Sequence, residues 1–208
     1  MDRMPKVSAE HLERRRQQIL EAARICFIRK GVHETSMQDV FAESGLSAGA
    51  VYRYFKSKND IIVAIMGATG LRLRDFMEEV LHEDPLPPLD DVVYRFAEVI
   101  VSWSGEGGVT RLAPQAWALA TYDPQFAGRV RDTMGGMRDL WIVYAERLRD
   151  AGRLPSDADT DAVGKLLVGL LPGFIIQRAI LGETDADTMR RGIRALMEHA
   201  PLPVADTR

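Results

Sequence analysis

Cysteine and histidine are scarce in this chain, and neither is arranged for metal binding. Cys26 is the single cysteine among 208 residues, so no disulfide can form within the chain and a cysteine-based zinc site is excluded. The four histidines are scattered without the spacing of metal ligands: His11, His33, His82 and His199. We expect no metal, no cofactor and a reducing cytoplasm as the location. For Cys26, packing on the apolar side of a helix is favoured over a redox role.

Long apolar runs are also absent. Residues 1–16 are mostly polar and lack the apolar core of a signal peptide. The strongest apolar run, residues 166–176, has 11 residues and lies between Lys165 and Gln177, whereas a membrane-spanning helix needs about 20. With 46% hydrophobic residues and a mean hydropathy of -0.13, the composition is that of a soluble chain of one or two domains, and no membrane partner is expected.

Strand patterns and catalytic motifs are missing as well. No segment alternates apolar and polar residues strongly enough to predict a strand, and no internal repeat is visible. No glycine-rich phosphate loop follows a strand and no nucleophile elbow is present, so an enzyme is not expected. Helical periodicity between turn signals instead predicts an all-α chain, with later helices at about 58–82, 89–104, 110–121, 124–151, 160–181 and 186–199.

The net charge of -3 is unevenly divided along the chain. Residues 1–60 contain 11 lysines and arginines against 8 acidic residues, a net +3, and the remainder contains 16 against 22, a net -6. An excess of this size is common on helical surfaces, so it supports nucleic-acid binding only slightly. The motifs in the same region carry the argument.

The most informative stretch is residues 47–58, Ser-Ala-Gly-Ala-Val-Tyr-Arg-Tyr-Phe-Lys-Ser-Lys. Ser47 can cap a short helix, and the small residues 48–50 would let its first turn approach a nucleic-acid surface closely. Val51 and Phe55 are four apart and are predicted to point into a core. The opposite face carries the candidate groove contacts Ala48, Gly49, Tyr52 and Arg53.

The preceding segment predicts a second short helix. Two capping boxes overlap at its start, Thr35 with Gln38 and Ser36 with Asp39. This helix should run to about residue 44, where Gly45 turns the chain. Two short helices joined by a glycine turn have the spacing of a helix-turn-helix, in which the second helix enters the major groove of DNA.

Residues 19–61 resemble the N-terminal part of TetR-family transcriptional regulators. The matching segments are Ile-Leu-Glu-Ala-Ala at 19–23 with Phe27 and Gly31, Thr-Ser-Met-Gln-Asp-Val at 35–40, Gly-Leu-Ser at 45–47, and Val-Tyr-Arg-Tyr-Phe at 51–55 with Lys58. The resemblance implies a three-helix DNA-binding domain at 8–57. A larger helical domain for effector binding and dimerisation would follow at 58–200.

The resemblance also implies a function. The protein would be a homodimeric, ligand-responsive regulator of a double-stranded DNA operator, either a repressor released by a small, largely apolar effector or an activator. Arg53 is the best candidate for reading a base, because a guanidinium can bond a guanine edge twice. The candidate phosphate contacts are Thr35, Ser36, Ser47, Tyr54 and Lys58. A helical interaction protein that binds no DNA is the competing class.

One residue departs from the family pattern. Phe41 stands where the family usually has a small residue that lets the two helices of the motif pack closely. Either Phe41 turns outward toward other helices, or the two helices sit slightly apart. The second arrangement would change the angle of the recognition helix.

The predicted helix at 160–181 has two apolar faces. One carries Val163, Leu167, Leu170, Phe174 and Leu181 and suits the core of the chain. The resemblance implies that the other face pairs with a second copy, with the candidate interface residues Leu166, Gly169, Gly173, Ile176 and Ile180. A central helix of a monomer core is the alternative. Pro172 either kinks this helix or is tolerated within it.

Aromatic and methionine side chains recur at helical spacing in the later helices. By composition alone these stripes are typical of core packing. The resemblance implies an effector cavity in the same region. The candidate lining residues are Phe96, Trp103, Arg111, Trp117, Met137, Trp141, Tyr144 and Gln177.

Overall fold

A computed structural model of the protein describes residues 9–103, 108–182 and 184–198. Regular structure within these ranges is entirely helical, which confirms the all-α prediction. It comprises a 3-10 turn at Val109–Arg111 and the helices α1 (Ala9–Glu34), α2 (Met37–Ser44), α3 (Ala48–Tyr52), α4 (Lys58–His82), α5 (Leu89–Ser102), α6 (Leu112–Ala120), α7 (Pro124–Asp150), α8 (Thr160–Ile180) and α9 (Ala186–Glu198). The predicted helix ends at 104 and 199, and the predicted domain limits at 8 and 200, lie outside the described residues.

The chain forms two compact units. Among the described residues, the head unit consists of 9–69 and 108–131, and the body unit consists of 70–103, 132–182 and 184–198. Helices α4 and α7 each contribute to both units. The predicted domain limits at 57 and 58 follow chain order rather than contacts, and they stay a prediction.

The head unit is built around aliphatic and aromatic side chains of α1 to α4, α6 and the start of α7. Its buried cluster is Ile19, Leu20, Ala23, Phe27, Val32, Val40, Val51, Phe55, Ile61, Ile62, Ile65, Leu112, Ala116 and Phe126. Cys26 is fully buried, and burial raises the pKa of its thiol, as expected for a packed cysteine. Helix α6 is also tied to α1 by a hydrogen bond, since the Val32 N–H donates to Gln115 Oε1 at 2.8 Å.

In the body unit, α5 and α9 pack together and are joined by arginines. Arg194 donates to Asp90, and Arg190 donates to Asp91 while its guanidinium lies 3.6 Å from the centre of the Tyr94 ring. Helices α7 and α8 approach closely at Gly164. A Cβ placed there would lie 2.4 Å from Ile142 Cγ1 and 2.8 Å from its backbone nitrogen.

Helix α8 buries one face and exposes the other. Leu167, Leu171 and Phe174 are buried in the body unit, and the helix continues through Pro172. At 21 residues α8 has nearly the predicted bounds of 160–181, and it extends beyond the 11-residue apolar run at both ends. By length and composition alone it is a candidate membrane span, with 28% of its apolar window buried.

Candidate nucleic-acid interface

Helix α3 has the two faces that its sequence predicts. Ser47 is its N-cap and accepts a hydrogen bond from the Ala50 N–H at 3.3 Å. Val51 and Phe55 are 0% and 5% exposed and join the head-unit core. The predicted orientation of both apolar residues is confirmed.

The other face of α3 is open to solvent. Its exposed residues are Ala48, Gly49, Tyr52 and Arg53. A Cβ added to Gly49 would meet no atom within 4 Å, so neither the fold nor a neighbouring side chain demands glycine there. The Arg53 guanidinium makes no hydrogen bond or ion pair with any residue that the structure describes, and only its backbone N–H is bonded, to the Val51 carbonyl. This face therefore combines minimal bulk with an available guanidinium.

Helix α2 begins at the second of the two predicted capping boxes. Ser36 Oγ accepts from the Asp39 N–H at 3.2 Å, and the Asp39 carboxylate accepts from the Ser36 N–H at 2.8 Å. Hydrogen bonds from Lys30 and then from Ser36 hold the pKa of Asp39 well below its usual range. Ser36 itself is exposed, so the cap leaves it at the surface.

Thr35 does not cap α2, which corrects the prediction of a first capping box. Its side chain is 1% exposed, and its hydroxyl donates to the carbonyls of Gly31 at 2.7 Å and Cys26 at 3.2 Å. Gly31 has a φ of 82°, which interrupts α1 and is a conformation that favours glycine. The Thr35 hydroxyl thus closes the end of α1, and its buried position does not suit the predicted phosphate contact.

Lys58 also has a different role from the predicted phosphate contact. Its Nζ donates to the carbonyls of Val32 at 2.6 Å, Thr35 at 2.8 Å and His33 at 3.1 Å. An ammonium group has three N–H donors, so none is left for a phosphate. These bonds satisfy carbonyls left over at the end of α1 and fix the start of α4 beside them.

A neighbouring lysine, which the sequence did not single out, is better placed. Lys56 is exposed, and its Nζ donates to the Tyr52 carbonyl at 2.8 Å. Two of its three donors have no partner among the described residues. Tyr54, another predicted phosphate contact, is half-buried and packs against the head-unit core.

Phe41 contacts α3, the second helix of the motif, and is therefore not turned outward away from it. Its ring lies edge-on to that of Tyr52, with 5.4 Å between ring centroids and an interplanar angle of 70°. The side chain is half-buried and also packs against the core of the head unit. The residue that departs from the family pattern is thus in direct contact with the recognition helix.

Polar contacts between α1 and α2 were not visible in the sequence. Gln18 Nε2 donates to the Ser44 carbonyl at 2.8 Å, at the end of α2. Arg29 pairs with Glu43 at 3.1 Å. Because the partners are 14 to 26 positions apart, no local motif marks them.

The predicted effector residues are divided between the two units. In the body unit, Phe96, Met137, Trp141 and Tyr144 are buried, Trp103 is half-buried and Gln177 is exposed. Arg111, exposed, and Trp117, half-buried, belong to the head unit. Gln177 Oε1 accepts from the Thr184 hydroxyl at 3.3 Å.

The buried aromatic residues of the body unit form a continuous cluster. Trp141 lies 5.8 Å from Phe96 and 5.7 Å from Tyr144, measured between ring centroids, and Phe76 lies 5.3 Å from Phe96. The Tyr144 hydroxyl donates to the Pro87 carbonyl at 2.8 Å, and burial raises its pKa. The Trp141 indole N–H is buried without a hydrogen-bond partner among the described residues.

A separate cavity of about 410 Å³ lies in the head unit, at the start of α4. It differs from the predicted aromatic pocket because its lining is largely polar: Ser57, Asn59, Asp60, Val63, Asp123, Phe126 and Arg129. Asn59 Nδ2 donates to the Asp123 carboxylate at 3.0 Å across this region. The sequence did not predict it, since its two sides are 64 positions apart.

The predicted interface residues of α8 are accessible in the single chain. Leu166, Ile176 and Ile180 are 68%, 41% and 75% exposed. Gly169 and Gly173 have no atom within 4 Å of an added Cβ. This side of α8 is therefore an uncovered apolar surface with room for close approach.

The sequence matches two family models in succession. Residues 19–65 match the bacterial regulatory proteins of the tetR family, and residues 108–200 match the C-terminal region of BetI-type transcriptional repressors. A relative across most of the length is the HTH-type transcriptional repressor AcnR of Corynebacterium diphtheriae. It is 29% identical over 182 residues, which cover 88% of this chain and 90% of AcnR.

Solved structures share the fold. Salmonella enterica GusR has a TM-score of 0.74 at 23% identity, covering 93% of this chain and 100% of GusR. A transcriptional regulator from Saccharomonospora viridis in complex with choline has a TM-score of 0.72 at 23% identity, covering 90% and 97%. Together with the two family matches and the open face of α3, these likenesses lead to one assignment. The chain belongs to the TetR family of bacterial regulatory proteins and is a DNA-binding transcriptional regulator.

Proposed function

We propose that the protein is a homodimeric repressor that acts in the cytoplasm and leaves its operator when a small molecule binds the body unit. The observation that carries the proposal is the open face of α3, where a Cβ added to Gly49 would meet no atom within 4 Å and the Arg53 guanidinium has no partner among the described residues. A helix with such a face can enter a major groove. The repressor assignment takes support from AcnR, and an activator is the alternative.

Base reading is assigned to the side chains that α3 exposes. Arg53 would bond a guanine edge through two of its three guanidinium nitrogens, and Tyr52 would contact bases beside it. Ser36, Ser47 and Tyr54 remain the proposed phosphate contacts. Lys56 takes the place of Lys58, whose three donors are already used.

Dimerisation is assigned to the open side of α8. Leu166, Ile176 and Ile180 are large apolar residues whose exposure is unfavourable in water, and contiguous apolar patches mark association sites. Gly169 and Gly173 would let a second helix approach closely. A dimer would hold two α3 helices for two successive major grooves, about 34 to 36 Å apart.

The effector is assigned to the aromatic cluster of the body unit. Phe96, Trp141 and Tyr144 offer an apolar lining, and the unbonded Trp141 N–H offers one donor to a ligand acceptor. The structure with choline supports binding of a small molecule by this fold. The dimer would have one conformation that fits the operator and another that does not. The effector would release the protein from DNA if it bound the second conformation more tightly than the first.

The proposal is tested by fluorescence anisotropy with a labelled duplex from immediately upstream of the gene, at physiological salt. Binding that survives excess unrelated DNA is expected of a sequence-specific regulator. Sedimentation of the protein with and without the duplex gives the oligomeric state. A wild-type protein that is monomeric at the concentrations that bind DNA would contradict the dimer. The variant Ile176→Glu places a charge in the proposed interface and is expected to be monomeric at concentrations at which the wild type is a dimer.

A further inference from the structure

We infer that Phe41 is a positioning residue for DNA recognition. Its ring fixes the orientation of the Tyr52 ring on the open face of α3, and through Tyr52 it sets part of the sequence preference. The inference rests on the proposed DNA recognition by α3. Phe41 lies on α2 and is not one of the side chains that α3 exposes for the groove.

Phe41 is itself held in place from several sides. It follows Val40, which is 0% exposed, on a helix whose start is fixed by the capping box of Ser36. The Phe41 carbonyl accepts from the Ser44 hydroxyl at 3.2 Å, and its ring packs against the head-unit core. A side chain so constrained can serve as a fixed surface for a neighbour.

Tyr52 needs such a surface. It is 41% exposed at the end of the short helix α3, where an isolated ring would occupy several rotamers. The edge-on contact with Phe41, at 5.4 Å between centroids, favours one of them. The Tyr52 hydroxyl bonds no residue in the part of the chain that the structure describes, so it is available to a base or a phosphate.

The predicted effect is on discrimination more than on total affinity. Phe41 is apolar and cannot neutralise a phosphate, so its replacement leaves the salt dependence of binding unchanged. The contribution of Phe41 is to favour one rotamer of Tyr52. Edge-to-face pairs of this kind correspond to about a two- to tenfold change in an equilibrium constant.

The test is a double-mutant cycle with Phe41→Leu and Tyr52→Leu. Sequences are selected from a randomised duplex library with the wild-type protein, and all four proteins are then titrated against the selected duplex and its single-base variants. Phe41→Leu is expected to lower discrimination about two- to tenfold at the base positions whose preference Tyr52→Leu removes. In the Tyr52→Leu background, Phe41→Leu is expected to cause no further loss.

Two controls separate positioning from folding. Phe41→Tyr keeps an aromatic ring and is expected to keep the wild-type base preference. If circular dichroism shows that Phe41→Leu does not fold, Phe41→Met takes its place. Additive effects of the two leucine variants, or a wild-type preference in Phe41→Leu, would overturn the inference and leave the proposed function intact. A wild-type protein that enriches no sequence would overturn both.

Discussion

The head unit and the body unit both close helix ends with side chains, since Asp159 caps α8 of the body unit, but among the described residues only the body unit has a continuous cluster of aromatic rings in its core. In the head unit, side chains close the helix ends: Ser36 and Ser47 cap α2 and α3, and Lys58 binds three carbonyls at the end of α1. In the body unit, large aromatic rings fill the core, and the buried Trp141 N–H has no partner among the described residues. An unmet donor in a core costs stability unless a ligand supplies an acceptor.

The two units need different properties for their proposed functions. The head unit must hold the short helix α3 at a fixed angle, and directional hydrogen bonds at helix ends do so. The body unit is proposed to admit a small molecule, for which an aromatic cluster with one free donor is suitable. The following substitutions separate the two kinds of stabilisation, in order of expected effect.

The largest effect is expected in the body unit, from Gly164→Ala. The added Cβ would lie within 3 Å of side-chain and backbone atoms of Ile142, so α7 and α8 must move apart. We expect a loss of about 3 kcal/mol in the free energy of unfolding, measured by urea denaturation. Gly135→Ala on α7 is the matched control, because its Cβ meets no atom within 4 Å. If both variants had equal stability, the close approach would be wrong.

The next effect is expected in the head unit, from Lys58→Met. This change leaves the carbonyls of Val32, His33 and Thr35 without their donor, and we expect a loss of about 2 kcal/mol in the free energy of unfolding. The salt dependence of binding to unrelated DNA should not change. Lys56→Met is the control with the opposite expectation, little loss of stability and a salt slope lower by about one. If Lys58→Met instead lowered the salt slope with little loss of stability, and Lys56→Met did the reverse, Lys58 would be a phosphate contact after all.

A smaller effect is expected from Ser36→Ala, which removes the N-cap of α2. The loss should be about 1 kcal/mol in the free energy of unfolding. Ser102→Ala in the body unit, whose hydroxyl donates to the Val99 carbonyl within α5, should cost less. Equal losses would mean that the cap of α2 has no special weight in the head unit.

The smallest effect concerns pH and Asp39. Hydrogen bonds from Lys30 and Ser36 lower the pKa of this carboxyl in the folded protein below 3.8. Its contribution is therefore fully present above that unfolded value and is lost as the pH falls toward the folded pKa. Thermal melts between pH 6 and about pH 3 should show a smaller decline for Asp39→Asn than for the wild type. A parallel decline would contradict the assignment.

In the head unit, the features that can be predicted from sequence are those formed by residues close together in the chain. The cap at Ser47, the capping box of Ser36 and the burial of Val51 and Phe55 follow from spacings of three or four residues. The bonds of Lys58 reach 23 to 26 positions back, and Gln115 reaches 83 positions, so no local pattern distinguishes them. Thr35 and Lys58 were assigned to phosphates because their chemistry suits that role as well as helix closure.

The body unit was less predictable for a different physical reason. A stripe of aromatic residues has the same spacing whether it fills a core or lines a cavity. Phe96, Trp141 and Tyr144 lie together in one buried cluster and their effector role stays a prediction, whereas Gln177, another candidate lining residue, is exposed. The open side of α8 was visible in sequence as a second apolar face, because Leu166, Ile176 and Ile180 recur at helical spacing.

The central claim is that α3 reads bases through Arg53, and one comparison tests it directly. Wild type, Arg53→Ala and Lys56→Ala are titrated by fluorescence anisotropy against a selected operator duplex and against a scrambled duplex of the same length. We expect Arg53→Ala to lose about 1 to 3 kcal/mol on the operator and much less on the scrambled duplex, so that the specificity ratio falls. Lys56→Ala should weaken both duplexes equally. Equal weakening of both duplexes by Arg53→Ala would contradict the claim.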